Sequence, residues 1–473
     1  MIELRDYQDD MVHRCRQAMA RVRRILLQAP TGAGKTALAT FMADGTASRG
    51  RTVYFICHRE ELLDGTSRTF WKHGLPHSFI AAGRPYDPRQ LVQVCSIDTL
   101  KSRLLRVPEP SLAIWDECHH LGAAGWVAVM DAWKTAYHVG LSATPTRTDG
   151  AGLDGQFDEM VLGPAVAWLI EHGHLSRYRA FIPNGGMDVS GAHTRAGDFV
   201  AKDIEARVDR PKLFGDIIQH WRKHASHALS IAFAPSLDFS QYMVQQFNAA
   251  GIPAAHLDGG TLKEQRRDII QRYAAGEIRV LWNRYLFGEG FDLAAIAQRD
   301  VTIDCVIDAA PTQALGLAMQ RWGRALRPPN EAILLDHAGN MLRHGFPDDE
   351  REWSLKGRDK TNRAANDEGP PPPGYCPECF QAIRRPLPPF CPHCGAAMKP
   401  EAKPLEVEDG ELGEATAEEK AAVRARLKQE EQDAIRNGGL AGVIALGVRR
   451  GHKNPHKWAL RKFSGLRNSK RAA

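Results

Sequence analysis

Eight consecutive residues, Ala29-Pro30-Thr31-Gly32-Ala33-Gly34-Lys35-Thr36, have the types and spacing needed to hold a phosphate. Glycines let a main chain approach an anion closely, and N–H groups at the start of a following helix favour negative charge. A lysine at the end of such a loop reaches the β- and γ-phosphates of a nucleotide, and the hydroxyl after it holds Mg²⁺. Lys35 and Thr36 fill those places, and Thr31, Gly32, Ala33 and Gly34 would supply the cradle. Ala29 stands where the strict pattern has glycine, so the match is one residue short.

Further on, the apolar run Leu112-Ala113-Ile114-Trp115 ends in Asp116-Glu117-Cys118-His119. Two acids at a strand end suit a Mg-nucleotide site. Asp116 would hold the metal through water, and Glu117 would orient and deprotonate the attacking water. An acidic loop at a strand end is common, and it is the cradle upstream that favours the functional reading. Ser142 and Thr144 follow in Gly140-Leu141-Ser142-Ala143-Thr144-Pro145, which alone is merely a turn. Late in the chain comes Gln320-Arg321-Trp322-Gly323-Arg324-Ala325-Leu326-Arg327. On a helix Arg324 and Arg327 share a face. Guanidinium groups presented together can neutralise charge developing on a γ-phosphate, an effect of roughly 10³–10⁵ in rate. Without the other motifs this run reads as a solvated basic helix.

The nine cysteines divide in two. Cys15, Cys57, Cys95, Cys118 and Cys305 are scattered and read as reduced, packed residues. Cys376-Pro377-Glu378-Cys379 and Cys391-Pro392-His393-Cys394 are paired hairpins with eleven residues between them. Four thiolates so spaced suit a structural, tetrahedral Zn²⁺ with no open position, and in so short a stretch metal binding supplies the folding energy. Redox use of one pair is the rival reading. His393 reads as a bystander.

The elements that must position these groups follow from patterning. Near-continuous apolar runs separated by helix-length segments are the mark of buried parallel strands. They occur at Arg24–Gln28, Thr52–Cys57, Leu91–Cys95, Leu112–Trp115 and His138–Leu141. After a glycine-rich join they resume at Ser230–Phe233, Ala255–Leu257, Arg279–Leu281, Cys305–Ile307 and Ala332–Leu335, with helices at Leu237–Ala250 and Leu262–Ala275. Two successive parallel-sheet α/β units are predicted. At 473 residues the chain is too long for one core, and its 43% hydrophobic content is that of an ordinary globular protein.

No apolar run approaches the roughly 20 residues of a membrane span, and Met1-Ile2-Glu3-Leu4-Arg5-Asp6 is no signal peptide, so a cytoplasmic protein without a membrane partner is expected. The net charge of +6 is mild, but its distribution is uneven. Glu406 to Glu419 carries seven acids and no base, and Arg449 to Ala473 carries nine Lys/Arg and no acid. Gly369-Pro370-Pro371-Pro372-Pro373-Gly374 is an extended spacer before the cysteine module, and a helix is expected from Thr416 to about Arg436. In the tail, Lys457, Trp458 and Arg461 interleave bases that would attract phosphates with an aromatic that could stack on exposed nucleotides; a cationic end that aids solubility is the alternative.

Taken in order, Leu4-Arg5-Asp6-Tyr7-Gln8, the Lys35 loop, Asp116-Glu117-Cys118-His119, Ser142-Ala143-Thr144 and Gln320 to Arg327 resemble the superfamily-2 helicases. The likeness is to the DExH branch with XPB-like and phage UvsW-like DNA helicases, and it covers about residues 1–350. It implies two RecA-like domains with ATP between them and nucleic acid across both, followed by the zinc ribbon and the charged tail. The expected divisions are 1–185 and 186–355 for the RecA-like domains, 356–374 for the linker, 375–398 for the ribbon and 399–473 for the tail.

The resemblance also implies roles. Gln8 reads the adenine and Arg5 stacks on it. Arg59 and Thr99 contact the nucleic-acid backbone, and Ser142 and Thr144 couple hydrolysis to domain movement. Gly290 and Asp292 in Gly288-Glu289-Gly290-Phe291-Asp292 bridge ATP and nucleic acid, although Gly288 stands where many relatives have threonine. Gln320 joins the nucleotide site. Asp336-His337-Ala338-Gly339-Asn340 resembles prophage and bacterial members. The expected activity is an ATP-dependent DNA helicase or translocase using ATP, Mg²⁺ and Zn²⁺, with single-stranded or branched DNA as partner and a protein partner allowed through the ribbon or tail. Two rivals remain: a branched-DNA remodelling translocase without processive unwinding, and a zinc-ribbon nucleic-acid-binding protein with a vestigial motor.

Overall fold

The apolar runs become strands of two separate sheets in a computed structural model of the chain. It describes residues 2–182 except 123, 148 and 149; 189, 192–195, 198–200 and 203–204; 210–284, 286–287, 293–299 and 301–357; and 371–398, 417–449 and 454–460. In the first sheet the strands are β1 (Arg24–Gln28), β2 (Val53–Cys57), β3 (Ser78–Ile80), β4 (Val92–Ser96), β5 (Leu112–Trp115), β6 (Tyr137–Ser142) and β7 (Glu159–Leu162). Their order is β3-β4-β2-β5-β6-β1-β7, and every pair is parallel.

The second sheet takes β8 (Tyr178–Phe181), and after a short hairpin of β9 (Thr194–Arg195) and β10 (Asp198–Phe199) come β11 (Ser230–Phe233), β12 (Ala254–Leu257), β13 (Val280–Asn283), β14 (Cys305–Asp308) and β15 (Ala332–Asp336). Its order is β12-β13-β11-β14-β15-β8, again all parallel. The architecture is thus two tandem parallel-sheet α/β domains of the RecA-like kind.

Helices cover both faces, which is why the central strands are apolar throughout. Beneath the first sheet, Trp115, Tyr54 and Trp133 pack together, while Leu27, Phe55, Val94 and Phe70 fill its other side. Trp221, Phe247 and Trp282 fill one side of the second sheet. Cys15, Cys57, Cys95, Cys118 and Cys305 are all buried and free, as their scatter predicts.

Three strands of the two large sheets escaped the apolar pattern. β3 has only three residues, β7 is a half-buried edge strand, and β8 opens on two half-buried residues, Tyr178 and Arg179, before Ala180 and Phe181. β8 precedes the expected boundary at 185 yet pairs with β15 of the second sheet. After the second domain the chain returns to the first, where Leu355 O accepts from Leu153 N (2.7 Å) and Asp154 N (3.1 Å).

The cysteine module, with β16 (Gly374–Tyr375) and β17 (Ala382–Ile383), covers the open edge of the second sheet. Ile182 N donates to Phe380 O (2.8 Å), and Phe181 bridges Gln381. Phe181 stacks on His224 at 3.9 Å and meets His393 edge-on, while Arg384 pairs with Asp348 and Asp349. An exposed strand edge is a liability that such a cover removes.

The described residues beyond 400, which are 417–449 and 454–460, belong to a second compact unit. Its helical stretch, Ala417–Arg449, is two helices, the first of which ends at Gly439, close to the expected end near Arg436. Gly439 breaks the helical backbone at φ 54°, and the second helix has Val443 and Leu446 buried. Among the described residues no helix is long and apolar enough to cross a membrane.

Candidate active site

Because the first sheet is parallel, β1, β6 and β5 end along one edge in that spatial order. The Lys35 loop follows β1, Asp116 and Glu117 follow β5, and Ser142 closes β6 between them. Sheet topology alone therefore gathers the three motifs. Gly32 and Gly34 hold the loop at φ 89° and 83°, left-handed values that favour glycine. Gly34 precedes the helix Lys35–Ala47, whose N-terminus has no side-chain cap. A Cβ on Gly32 would fall 2.7 Å from Leu175 Cδ2, and one on Gly34 would strike the Gln8 amide. Gln8 is locked to the loop from below: its Nε2 donates to Ala33 O (2.9 Å) and its Oε1 accepts from Arg5 N (3.1 Å). Tyr7 Oη donates to the same Ala33 carbonyl at 3.0 Å.

Lys35 Nζ lies 3.3 Å from Glu117 Oε1, with both side chains largely buried. Glu117 sits at φ 47°, a left-handed conformation that a non-glycine residue adopts at a cost. Burial, and then repulsion from Glu117, push the Asp116 carboxyl above its usual range, and the Lys35 charge opposes the shift. A divalent cation would relieve that repulsion, so the donor set fits Mg²⁺.

His119 Nδ1 is 3.4 Å from Glu117 Oε2 and 3.3 Å from Ser142 Oγ. The Ser142 hydroxyl donates to Thr144 O (2.8 Å), so its oxygen accepts from Thr144 N and from a protonated His119 Nδ1. That chain ties the base candidate to both coupling candidates.

The second domain completes the cleft with the helix Leu315–Trp322. Gly316 and Gly323 let this helix lie against the first domain. A Cβ at either would come within 2.6 Å of Thr144 Oγ1 or Thr31 Cγ2 respectively. The resulting cavity, 450 Å³, is lined by Arg5, the loop with Lys35 and Thr36, Asp116, Glu117, Gln320, Arg324 and Arg327. Two buried atoms on its wall, Thr31 Oγ1 and Gln320 Oε1, have no hydrogen-bond partner, as expected of groups that face a polar ligand.

Three neighbours of the site carry no expectation from sequence. His119 stands inside the Asp116-Glu117-Cys118-His119 run, where its place beside Glu117 is the signal. His174 and Leu175, which also line the cavity, fall in the unpatterned join, where no signal marks them. His174 lies 4.9 Å from the Tyr7 ring, on the side of Arg5.

Arg59 and Thr99 do not line this cavity. Arg59 stands at the position before the helix Glu60–Lys72 without a side-chain capping bond, and Thr99 is buried with its hydroxyl accepting from Ala82 N at 3.1 Å. Lys457 and Trp458 lie in the helix 455–460 of the C-terminal unit, where Trp458 packs against Gly447. Gly290, Asp292 and Arg461 lie outside the described residues.

The four cysteines converge. Cys376 and Cys394 Sγ are 3.6 Å apart, as are Cys379 and Cys391, and all four lie within 4.8 Å of one another. A tetrahedral ion with Zn–S bonds of about 2.3 Å needs sulfurs roughly 3.8 Å apart, whereas a disulfide needs about 2 Å. The cluster fits zinc.

Comparison with known proteins agrees with this geometry. Residues 1–147 match the family described as type III restriction enzyme, res subunit, and residues 210–329 match the helicase conserved C-terminal domain. A "51.5 kDa protein" of Lactococcus phage (isolate 7-9) is 31% identical over 331 residues, covering 69% of this chain and 68% of the relative. The "putative ATP-dependent helicase IRC3" of Saccharomyces cerevisiae is 26% identical over 68% of this chain and 49% of its own length. The "DNA 3'-5' translocase XPB2" of Sulfurisphaera tokodaii is 24% identical over 71% of this chain and 81% of its own. With both domain families present in order on two facing parallel sheets, the chain belongs to the superfamily-2 helicases.

Proposed function

We propose that this chain hydrolyses ATP in the cleft between its two α/β domains and uses the cycle to move along or unwind DNA. One observation carries the reading: Lys35, Asp116 and Glu117 from the first domain and Gln320, Arg324 and Arg327 from the second line the same cavity. Either half alone has an innocent explanation, but their convergence has none as economical.

In this mechanism Gln8 and Arg5 hold the adenine, the loop from Thr31 to Gly34 wraps the phosphates, and Lys35 engages the β- and γ-phosphates. Thr36 and Asp116 hold Mg²⁺, which when bound neutralises charge on the phosphate oxygens. Glu117 takes a proton from the attacking water. The water oxygen bonds to the γ-phosphorus as the bond to the β–γ bridging oxygen breaks. Arg324 and Arg327 balance the charge that develops on the γ-phosphate oxygens. His119, Ser142 and Thr144 carry the change at Glu117 to the domain contact at Gly316. Gly290 and Asp292 would bridge ATP and DNA, and Arg59, Thr99 and the tail residues Lys457, Trp458 and Arg461 would contact the strand. The ribbon holds Zn²⁺ through Cys376, Cys379, Cys391 and Cys394.

Steady-state ATP hydrolysis tests the reading with no nucleic acid, with single-stranded DNA, with branched or duplex DNA and with single-stranded RNA. Strong stimulation by DNA supports a motor, and preference for the branched form makes it a remodelling translocase. No hydrolysis in any arm, with Lys35→Ala indistinguishable, leaves a binding module with a vestigial motor.

A further inference from the structure

The arginines of the second domain belong to a segment whose orientation is set by a buried polar cluster outside the cleft. Arg321, one position after Gln320, points away from the cavity into the domain. Its Nη1 pairs with Asp308 Oδ1 at 3.1 Å and also donates to Ala310 O at 2.5 Å. Both side chains are essentially without solvent contact, and the guanidinium lies over the Phe233 ring. Burying an ion pair yields little net stability, yet breaking one is costly. Its presence therefore argues for orientation more than for stability.

Asn340 completes the cluster. Its Nδ2 donates to Asp308 Oδ2 (2.9 Å) and Ala310 O (3.0 Å). Its Oδ1 accepts from Thr312 N and Arg343 Nη1, both at 2.9 Å. All four hydrogen-bonding positions of the amide are filled. Asp336, at the end of β15, fixes Asn340 by accepting from the N–H groups of Asn340 (3.0 Å) and Met341 (2.6 Å), after a turn at Gly339 with φ 69°. The run Asp336-His337-Ala338-Gly339-Asn340 is thus built to deliver one amide to the Asp308–Arg321 pair.

We propose that Asn340 and Asp308 are positioning residues for ATP hydrolysis, clamping Arg321 so that Gln320, Arg324 and Arg327 face the phosphate cradle. The clamp sets the rotation of the helix Leu315–Trp322 about its axis. A small rotation there displaces two long guanidinium side chains at once, and a misplacement of about 1 Å can cost roughly a hundredfold in rate.

The inference rests on the ATPase reading above. Its test is Asn340→Asp in the full chain, an exchange of equal shape that removes two donors and sets a carboxylate beside Asp308. The variant should keep binding a fluorescent ADP analogue, with KM for ATP within about threefold, while kcat per folded molecule falls about 10–100-fold. Asp308→Asn leaves an acceptor for Arg321 but takes the counter-charge from a buried guanidinium, and should show the same pattern in kcat per folded molecule together with a lower melting temperature. In the Asn340→Asp background, Arg324→Ala should cost much less than it does alone, because the two residues act as one device. A merely structural role would lower the melting temperature without that coupling. Undiminished turnover in both variants, or losses that multiply in full, would overturn the clamp. No hydrolysis by the wild-type chain would instead defeat the ATPase reading.

Discussion

In the first domain Lys35 and Glu117 reach the cleft directly from the ends of β1 and β5, whereas in the second Arg324 and Arg327 lie just beyond a helix anchored by Arg321 beneath the surface. The first half of the cleft is made by backbone: glycines at positive φ, an uncapped helix start and the order of parallel strands. The second half is made by side chains, in a polar cluster whose members are 28 and 32 residues apart in sequence. A backbone-built site loses its chemistry when one reacting group is replaced and keeps its shape. A side-chain-built site changes its chemistry when a group that touches no substrate is replaced.

The sharpest way to break this contrast lies in the first half. Glu117→Gln should lower turnover by about 10²–10⁴, the usual worth of a general base, with ATP still bound, since Lys35 and the loop remain. Turnover near that of the wild type would remove Glu117 as the base.

The next effect lies in the second half. Stripping zinc with a chelator, or Cys379→Ser, should free the ribbon from the edge of β8. Amide exchange at Ile182, whose N–H donates to Phe380 O, should accelerate, while Leu27 in β1 stays protected. Equal protection at Ile182 with and without metal would mean that the ribbon holds its place without zinc.

Acid should erode both halves together, as the smallest effect near neutrality. Burial, opposed by a bond to Trp133 O, pulls the His138 imidazole down to about 4, and its Nδ1 accepts from Trp115 Nε1 at 3.1 Å, which requires the neutral ring. His337, in the second domain, is pulled down to about 3 by burial and then by His220. A histidine kept neutral in the fold takes its proton only on unfolding. Stability is therefore full above pH ~6.5 and is lost as pH falls below it, about 3 kcal/mol for His138 by pH 4. Urea midpoints measured across pH 4–8 check this, and a flat profile would contradict it.

The same contrast explains what could be read beforehand. Loop, strand and acid pair sit within short windows, so the Lys35 cradle and the Asp116-Glu117 end were legible from residue types, and so were ten of the strands. The paired cysteines carried their own spacing. What was not legible depends on neighbours remote in sequence. β8 joins the second sheet because β15 needs a partner, and its half-polar pattern does not say so. His174 and Leu175 gain a role only where the join passes the cradle. Asp336 to Asn340 carried family likeness without chemistry until Asp308 and Arg321 were seen against Asn340. Gly323, in the middle of the arginine motif, is explained only by Thr31 lying across the cleft.

The central claim is that one reaction uses groups from both domains, and single-turnover hydrolysis by Arg324→Ala tests it most directly. The variant should bind ATP within a few-fold of the wild type, because the cradle is intact, and cleave it about 10³-fold or more slowly, the scale of a lost arginine that stabilises the transition state. Cleavage at the wild-type rate would contradict the account and return the second domain's arginines to the surface role that their sequence alone suggests.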